Sequence, residues 1–188
     1  MIRKGYRKFT GLVAWVALLS FMSPVIGQAA PGGLGGSPIP ATPFDHKLIM
    51  AGGLETPLNH AAGSLKSSDS LFMQARSIRY VKDPGSHDDW QTPEETQARW
   101  AGDCEDKAVW LFAQLKANGY SNVRLVVGRY RLIDKNYHVW VTLADNHGNI
   151  FILDPTTQKK VWGNSSFGEN QYKTLYSFDG MNRYRHDN

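Results

Sequence analysis

Three residues, Cys104, His138 and Asp154, have the types and the order that nucleophilic catalysis by a thiol requires. A thiol attacks only as thiolate, an imidazole can take its proton, and a carboxylate can hold the imidazole in one orientation. Cys104 is the sole cysteine, so it cannot form a disulfide within the chain. It can be an inert core residue, an inter-chain bridge or a reactive thiol. Its neighbours favour the last. The residues after Asp103 read as the start of a helix, and a helix N-terminus favours an anion. Asp103, Glu105 and Asp106 crowd the same thiol with negative charge, which opposes its ionisation and calls for a cationic partner.

His138 is that partner. In the strand-like run Tyr137 to Ala144, Val139, Val141 and Leu143 share one face, and His138, Trp140 and Thr142 share the other. The reading sets His138 toward the catalytic helix. If the next turn pairs Asp145 with Asn149, His138 lies opposite Thr156, and Asp154 is its diagonal neighbour on the same face. A slip of one residue would turn Asp154 away. Each residue alone has a plainer account: a structural cysteine, a core histidine bonded to a carbonyl, an Asp-Pro turn. The three together are much stronger evidence.

The positioning elements follow from periodicity. A first helix is expected over about Ser68 to Val81, capped by serines, and a loop over KDPGSHDDW. Thr92-Pro93-Glu94-Glu95 opens a short helix with Thr at the N-cap and Pro at the first position. The clearest helix runs from near Asp103 to Asn118, buries Ala108, Leu111, Phe112 and Leu115, and stops at Gly119. Strands then follow at Val123 to Arg131, Tyr137 to Ala144 and Ile150 to Leu153, with turn chemistry at 145–149 and a weaker strand near Leu175 to Phe178. Helices first and an antiparallel sheet after them make an α+β fold, with the cysteine-bearing helix packed on the sheet.

The net charge of +4 invites a nucleic-acid reading, but Arg3, Lys4, Arg7 and Lys8 account for it, leaving 17 basic against 17 acidic residues. A neutral domain has no electrostatic footprint for nucleic acid. Residues 1–30 read as a signal peptide: a basic start, an apolar stretch from Gly11 to Met22 too short to span a bilayer, then Ala29 and Ala30 for cleavage. The expected product is periplasmic or secreted and has no stable membrane insertion. Residues 31–43 have the composition of a flexible or extended linker, and residues 44–188 make the domain, with an irregular lead-in from Phe44 to Gly63. There is no HExxH, no paired-cysteine zinc pattern and no phosphate loop. His87-Asp88-Asp89 reads as polar loop, and Trp90 and Trp100 as cleft-lining or packing residues.

The runs Gly102-Asp103-Cys104-Glu105-Asp106-Lys107-Ala108, Tyr137-His138-Val139-Trp140-Val141 and Ile152-Leu153-Asp154-Pro155 resemble the bacterial transglutaminase-like cysteine proteinases, as does Thr92-Pro93-Glu94-Glu95-Thr96 upstream. That group includes periplasmic proteases that clip large adhesins from the cell surface. The resemblance implies a papain-like, transglutaminase-core fold and a Cys104–His138–Asp154 triad. It implies hydrolysis of a peptide or isopeptide amide through a thioester on Cys104, on a protein or peptide substrate such as a surface adhesin. It also implies calcium held by Asp103 and Glu105, which match the family's acids beside the cysteine. Two other readings keep the fold: acyl transfer to an amine, and a non-catalytic binding module.

Overall fold

The computed structural model describes residues 34–52, 66–131, 135–145, 147–157, 159–162, 171–180 and 182–187. Residues 1–30, read above as a signal peptide, and the first residues of the expected linker lie outside them. Within the linker, Ser37–Ile39 form a short edge strand, β1, and the lead-in contains a helix, α1, at Asp45–Met50. Helix α2 covers Ser68–Ser77, with Ser67 accepting from the Ser70 amide. It ends four residues before Val81, because Ile78 turns to extended backbone and Arg79–Tyr80 form a strand, β2. Helix α3, Pro93–Arg99, opens with the expected Thr92 cap, closed into a box by Glu95.

Strand β3, Ala101–Gly102, runs parallel to β2. Helix α4, Cys104–Ala117, follows at once and ends before Gly119, which adopts a positive φ of 86°. The remaining strands are β4 (Val123–Tyr130), β5 (His138–Ala144), β6 (Ile150–Asp154), β7 (Lys159–Trp162), β8 (Tyr172–Phe178) and β9 (Arg183–Arg185). They form one antiparallel sheet in the order β1-β9-β8-β4-β5-β6-β7. The tail after Pro155 therefore supplies an inner strand, β8, longer than the weak pattern near Leu175 promised.

The period-two pattern sorts the sheet into two apolar layers. Val123, Leu125, Val127, Val139, Val141, Leu143 and Leu153 join the core with Leu111, Phe112 and Leu115 of α4. Val126, Trp140, Ile152 and Tyr172 form a smaller cluster on the opposite face. A bulge between Val127 and Gly128 brings β8 close: a Cβ on Gly128 would lie 2.1 Å from the Lys173 carbonyl oxygen and 2.4 Å from the Trp140 ring. Glycine at that position admits the strand that carries Tyr172. No helix of the described residues is long and apolar enough to cross a membrane.

Candidate active site

The helix start is fixed from three sides by Asp106. Its carboxylate accepts from the Asp103 amide at 3.2 Å, the Gln91 amide at 2.8 Å and the Gln91 side chain at 2.6 Å. Asp106 thus caps α4 and holds the loop before α3, rather than facing solvent. The motif's glycine follows from this: a Cβ on Gly102 would lie 2.5 Å from the Asp106 side chain. Burial raises the Asp106 pKa to about 6, against the hydrogen bond from Gln91.

Four acids meet beside Cys104. Pairing of β2 with β3, extended by the Val81 amide on the Gly102 carbonyl at 3.0 Å, carries the chain on to Asp83 next to Asp103. Ligand atoms of Asp83, Asp103 and Glu105 lie within 4.8 Å of one another. Asp88 hydrogen-bonds Glu105 and also pairs with the Lys47 ammonium. Asp103 and Glu105 are buried together beside the thiol, where burial disfavours the charged form of each. Burial raises both carboxyls above the ordinary range; in Glu105, Asp103 adds to that rise, and in Asp103 the hydrogen bond with Glu105 opposes it. One oxygen of each, Asp103 Oδ1 and Glu105 Oε1, is buried without a hydrogen bond.

The Cys104 thiol contacts Glu105 Oε2 at 3.0 Å and receives a hydrogen bond from the Val139 amide. Burial, then the charge and hydrogen bond of Glu105, push the thiol well above its usual range. Burial leads this rise, and the neighbouring acids add to it, against the favourable but smaller pull of a helix N-terminus, about 0.3–1 kcal/mol.

His138 and Asp154 are joined, Nε2 to Oδ2, at 2.8 Å. The register is the one expected, with Asp145 bonded to the Asn149 carbonyl and Val141 opposite Leu153. The facing is different. Val139, Val141 and Leu143 pack on α4, while the His138 ring lies by Tyr130 and Trp140, with centroids at 5.8 and 5.9 Å. His138 shares the Trp140 layer, and the thiol meets the strand at the adjacent residue, Val139. No hydrogen bond joins Cys104 to His138 among the described residues. With Nε2 donating to Asp154, Nδ1 is the ring nitrogen that keeps its lone pair.

Asp154 is fully buried yet ionised more readily than usual. Burial pushes its pKa up, but hydrogen bonds and charge from His138, then Thr157, outweigh it. Sequence reasoning did not find Asp83, Thr157 or Tyr172, and it set Asp88 aside as part of a polar loop. Asp83 and Asp88 sit in a loop without period, and Tyr172 is distant in the chain. The Asp-Pro-Gly turn at Asp83 was the one local signal, and it speaks of a turn rather than a ligand.

A family model described as the transglutaminase-like superfamily matches residues 62–155. Three solved structures of Legionella pneumophila LapG share the fold. The calcium-bound form is 22% identical, with 64% of this chain and 70% of that chain covered at a TM-score of 0.53. The EGTA-treated form is 21% identical, covering 64% and 66% at 0.55. A further LapG structure is 23% identical, covering 59% and 61% at 0.50. No curated protein gives a significant match. These likenesses establish the architecture: helices packed on a large antiparallel sheet, as in the transglutaminase-like fold.

Proposed function

We propose a function from one premise: this chain belongs to the transglutaminase-like superfamily. It is an exported cysteine hydrolase, periplasmic or secreted, that cleaves a peptide or isopeptide amide through a thioester on Cys104. The observation that carries the reading is the part-buried His138–Asp154 pair, 2.8 Å apart, beside the strand residue whose amide bonds the thiol.

In this reading the thiol parts from Glu105 and passes its proton to His138 Nδ1. Sγ then bonds the scissile carbonyl carbon, and the C–N bond breaks as Nδ1 returns the proton to the leaving amine. Water attacks the thioester, gives a proton to Nδ1, and the acid departs as the proton returns to sulfur. Asp154 keeps the ring in the tautomer this needs. The Cys104 amide, at the start of α4, is our candidate donor to the oxyanion.

Asp103, Glu105 and Asp83 fit a divalent cation. They offer hard carboxylate oxygens close together, and two of those oxygens are buried without a hydrogen bond. Calcium there would neutralise the acids around the thiol. LapG has both a calcium-bound and an EGTA-treated structure, which supports that choice of metal here. The resemblance in sequence supports a surface adhesin as substrate. One observation favours a non-catalytic binding module instead: the thiol bonds Glu105 and not His138.

Incubation with a peptide library in calcium, read by mass spectrometry, separates these readings. Cleavage products that vanish in Cys104→Ala and His138→Ala are expected. Adducts with an added amine in place of free acids would make the protein a transamidase, and an unchanged library would favour the binding module.

A further inference from the structure

The Asp154 carboxylate carries more hydrogen bonds than orienting one imidazole requires. Oδ1 accepts from the Thr156 and Thr157 amides at 3.0 and 3.1 Å. Oδ2 accepts from His138 at 2.8 Å, the Thr157 hydroxyl at 2.7 Å and the Tyr172 hydroxyl at 2.9 Å. A carboxylate offers about four lone-pair sites, so five donors exceed its capacity. The Thr157 and Tyr172 oxygens are also 3.0 Å apart. Three short contacts thus join Thr157, Tyr172 and Asp154, while the two hydroxyls supply only two protons. One contact is always without a proton, and the two hydroxyls share the task of bonding Oδ2.

The two amides already hold Oδ1 in a tight turn, and a hydroxyl beyond that is not needed for the fold of the turn. Tyr172 comes from β8, outside the matched residues 62–155, and reaches the site because Gly128 lets β8 approach. Its ring packs at a tilt against Tyr130 and edge-on against Trp140, with centroids at 5.1 and 5.2 Å, the rings that also flank His138. The hydroxyl is thereby held by rings on two sides.

We infer that Tyr172 is a positioning residue: with Thr157 it locks the Asp154 carboxylate so that Oδ2 faces His138, and it moderates the pull of that carboxylate on the imidazole. The geometry stands without the hydrolase reading; only the word positioning, as applied to catalysis, rests on it. The groups facing the pair are Lys107 from α4, whose charge is felt at Asp154, Tyr130 from β4 and Tyr172 from β8. Removing one donor from Oδ2 concentrates charge on it and tightens its bond to the imidazolium.

The test is histidine NMR on the full-length protein labelled with nitrogen-15. In Tyr172→Phe the His138 titration midpoint should rise by about one pH unit, the scale on which one charge-assisted bond acts, with Nε2 still the protonated nitrogen at neutral pH. Thr157→Val should move it the same way, and Thr157→Ser, which keeps the hydroxyl, should restore it. Unchanged His138 titration in folded Tyr172→Phe would overturn the inference. So would loss of the fold in both Tyr172→Phe and Thr157→Val, which would make the hydroxyls structural. Cys104→Ala separates this from the functional reading: it abolishes hydrolysis if that reading holds, yet leaves the His138 response to Tyr172→Phe in place.

Discussion

Two groups of buried carboxylates in the candidate site, Asp154 and the Asp103–Glu105 pair, behave in opposite ways. Asp154 is enclosed by five donors, and its carboxyl is held below the usual range. Asp103 and Glu105 face other acids, keep an oxygen each without a partner, and are raised above that range. Burial is the largest influence in all three and points the same way. What differs is the supply of N–H and O–H groups. A buried carboxylate stays charged where the chain brings donors to it, and where the chain brings carboxylates it must share a proton or take a cation.

The sharpest way to break this contrast is at Asp154. Asp154→Ala strands several donors in a dry site and should cost about 3–5 kcal/mol in denaturant unfolding, the scale for removing one partner of a buried charged pair. Asp103→Ala, measured in chelator, removes a carboxylate with an unbonded oxygen and should cost much less. Asp154→Asn keeps the shape but presents an amide to His138, so activity should fall by about ten-thousand-fold, as loss of the correct tautomer does in other triads. Comparable costs for the two alanine variants would mean that donor supply does not distinguish the sites.

Calcium sharpens the contrast from the other side. At about a hundred times its dissociation constant, a ligand specific to the folded state adds about 2.7 kcal/mol. Thermal unfolding with calcium against chelator should show a stabilisation of that size. Asp83→Ala should abolish it, because Asp83 belongs to the acid cluster and has no part in the proton transfers at Cys104 and His138. An unfolding temperature indifferent to calcium would mean that the acids settle their repulsion by sharing protons alone.

The contrast also explains what could be read from the sequence. Asp154 was found because a hairpin register is local arithmetic: Asp145 on Asn149 fixes every pair above it. The same arithmetic gave the correct pairing and the wrong face for His138, since alternation says which residues share a face and not which face meets a helix. Helix α4 was clear because Gly119 and the Asp103 start bound a strongly apolar run. Asp83 was hidden because a two-residue parallel pairing, Arg79 on Ala101 and Tyr80 on Gly102, sets its place, and pairs that short leave no period. Tyr172 was hidden for a related reason: β8 inserts between β9 and β4, an order that local patterns do not encode.

A half-buried titratable group, His186, tests the rule with the smallest effect. His186 follows β9, with Nε2 at 2.8 Å from the Ser177 hydroxyl and its ring against Gly36, where a Cβ would lie 2.8 Å away. Burial first, and then the Arg124 guanidinium, lower its pKa from 6.5 to about 4, while Asp187 pulls weakly the other way. Its site, like that of Asp103, disfavours the charged form, and the sign is fixed by linkage. Below pH 6.5 the unfolded chain takes up a proton that the folded chain refuses, so stability falls with pH until about 4, where the folded ring is protonated too. Because the ring is only half-enclosed, solvent reduces the effect, and the loss should be modest. His186→Gln keeps a polar partner for Ser177 without a charge. Its urea midpoint should therefore decline less than the wild type's between pH 6.5 and 4, with the two profiles parallel above and below that window. Parallel profiles throughout would show that the folded ring takes its proton as readily as the unfolded one, and that Ser177 and Asp187 outweigh burial and Arg124.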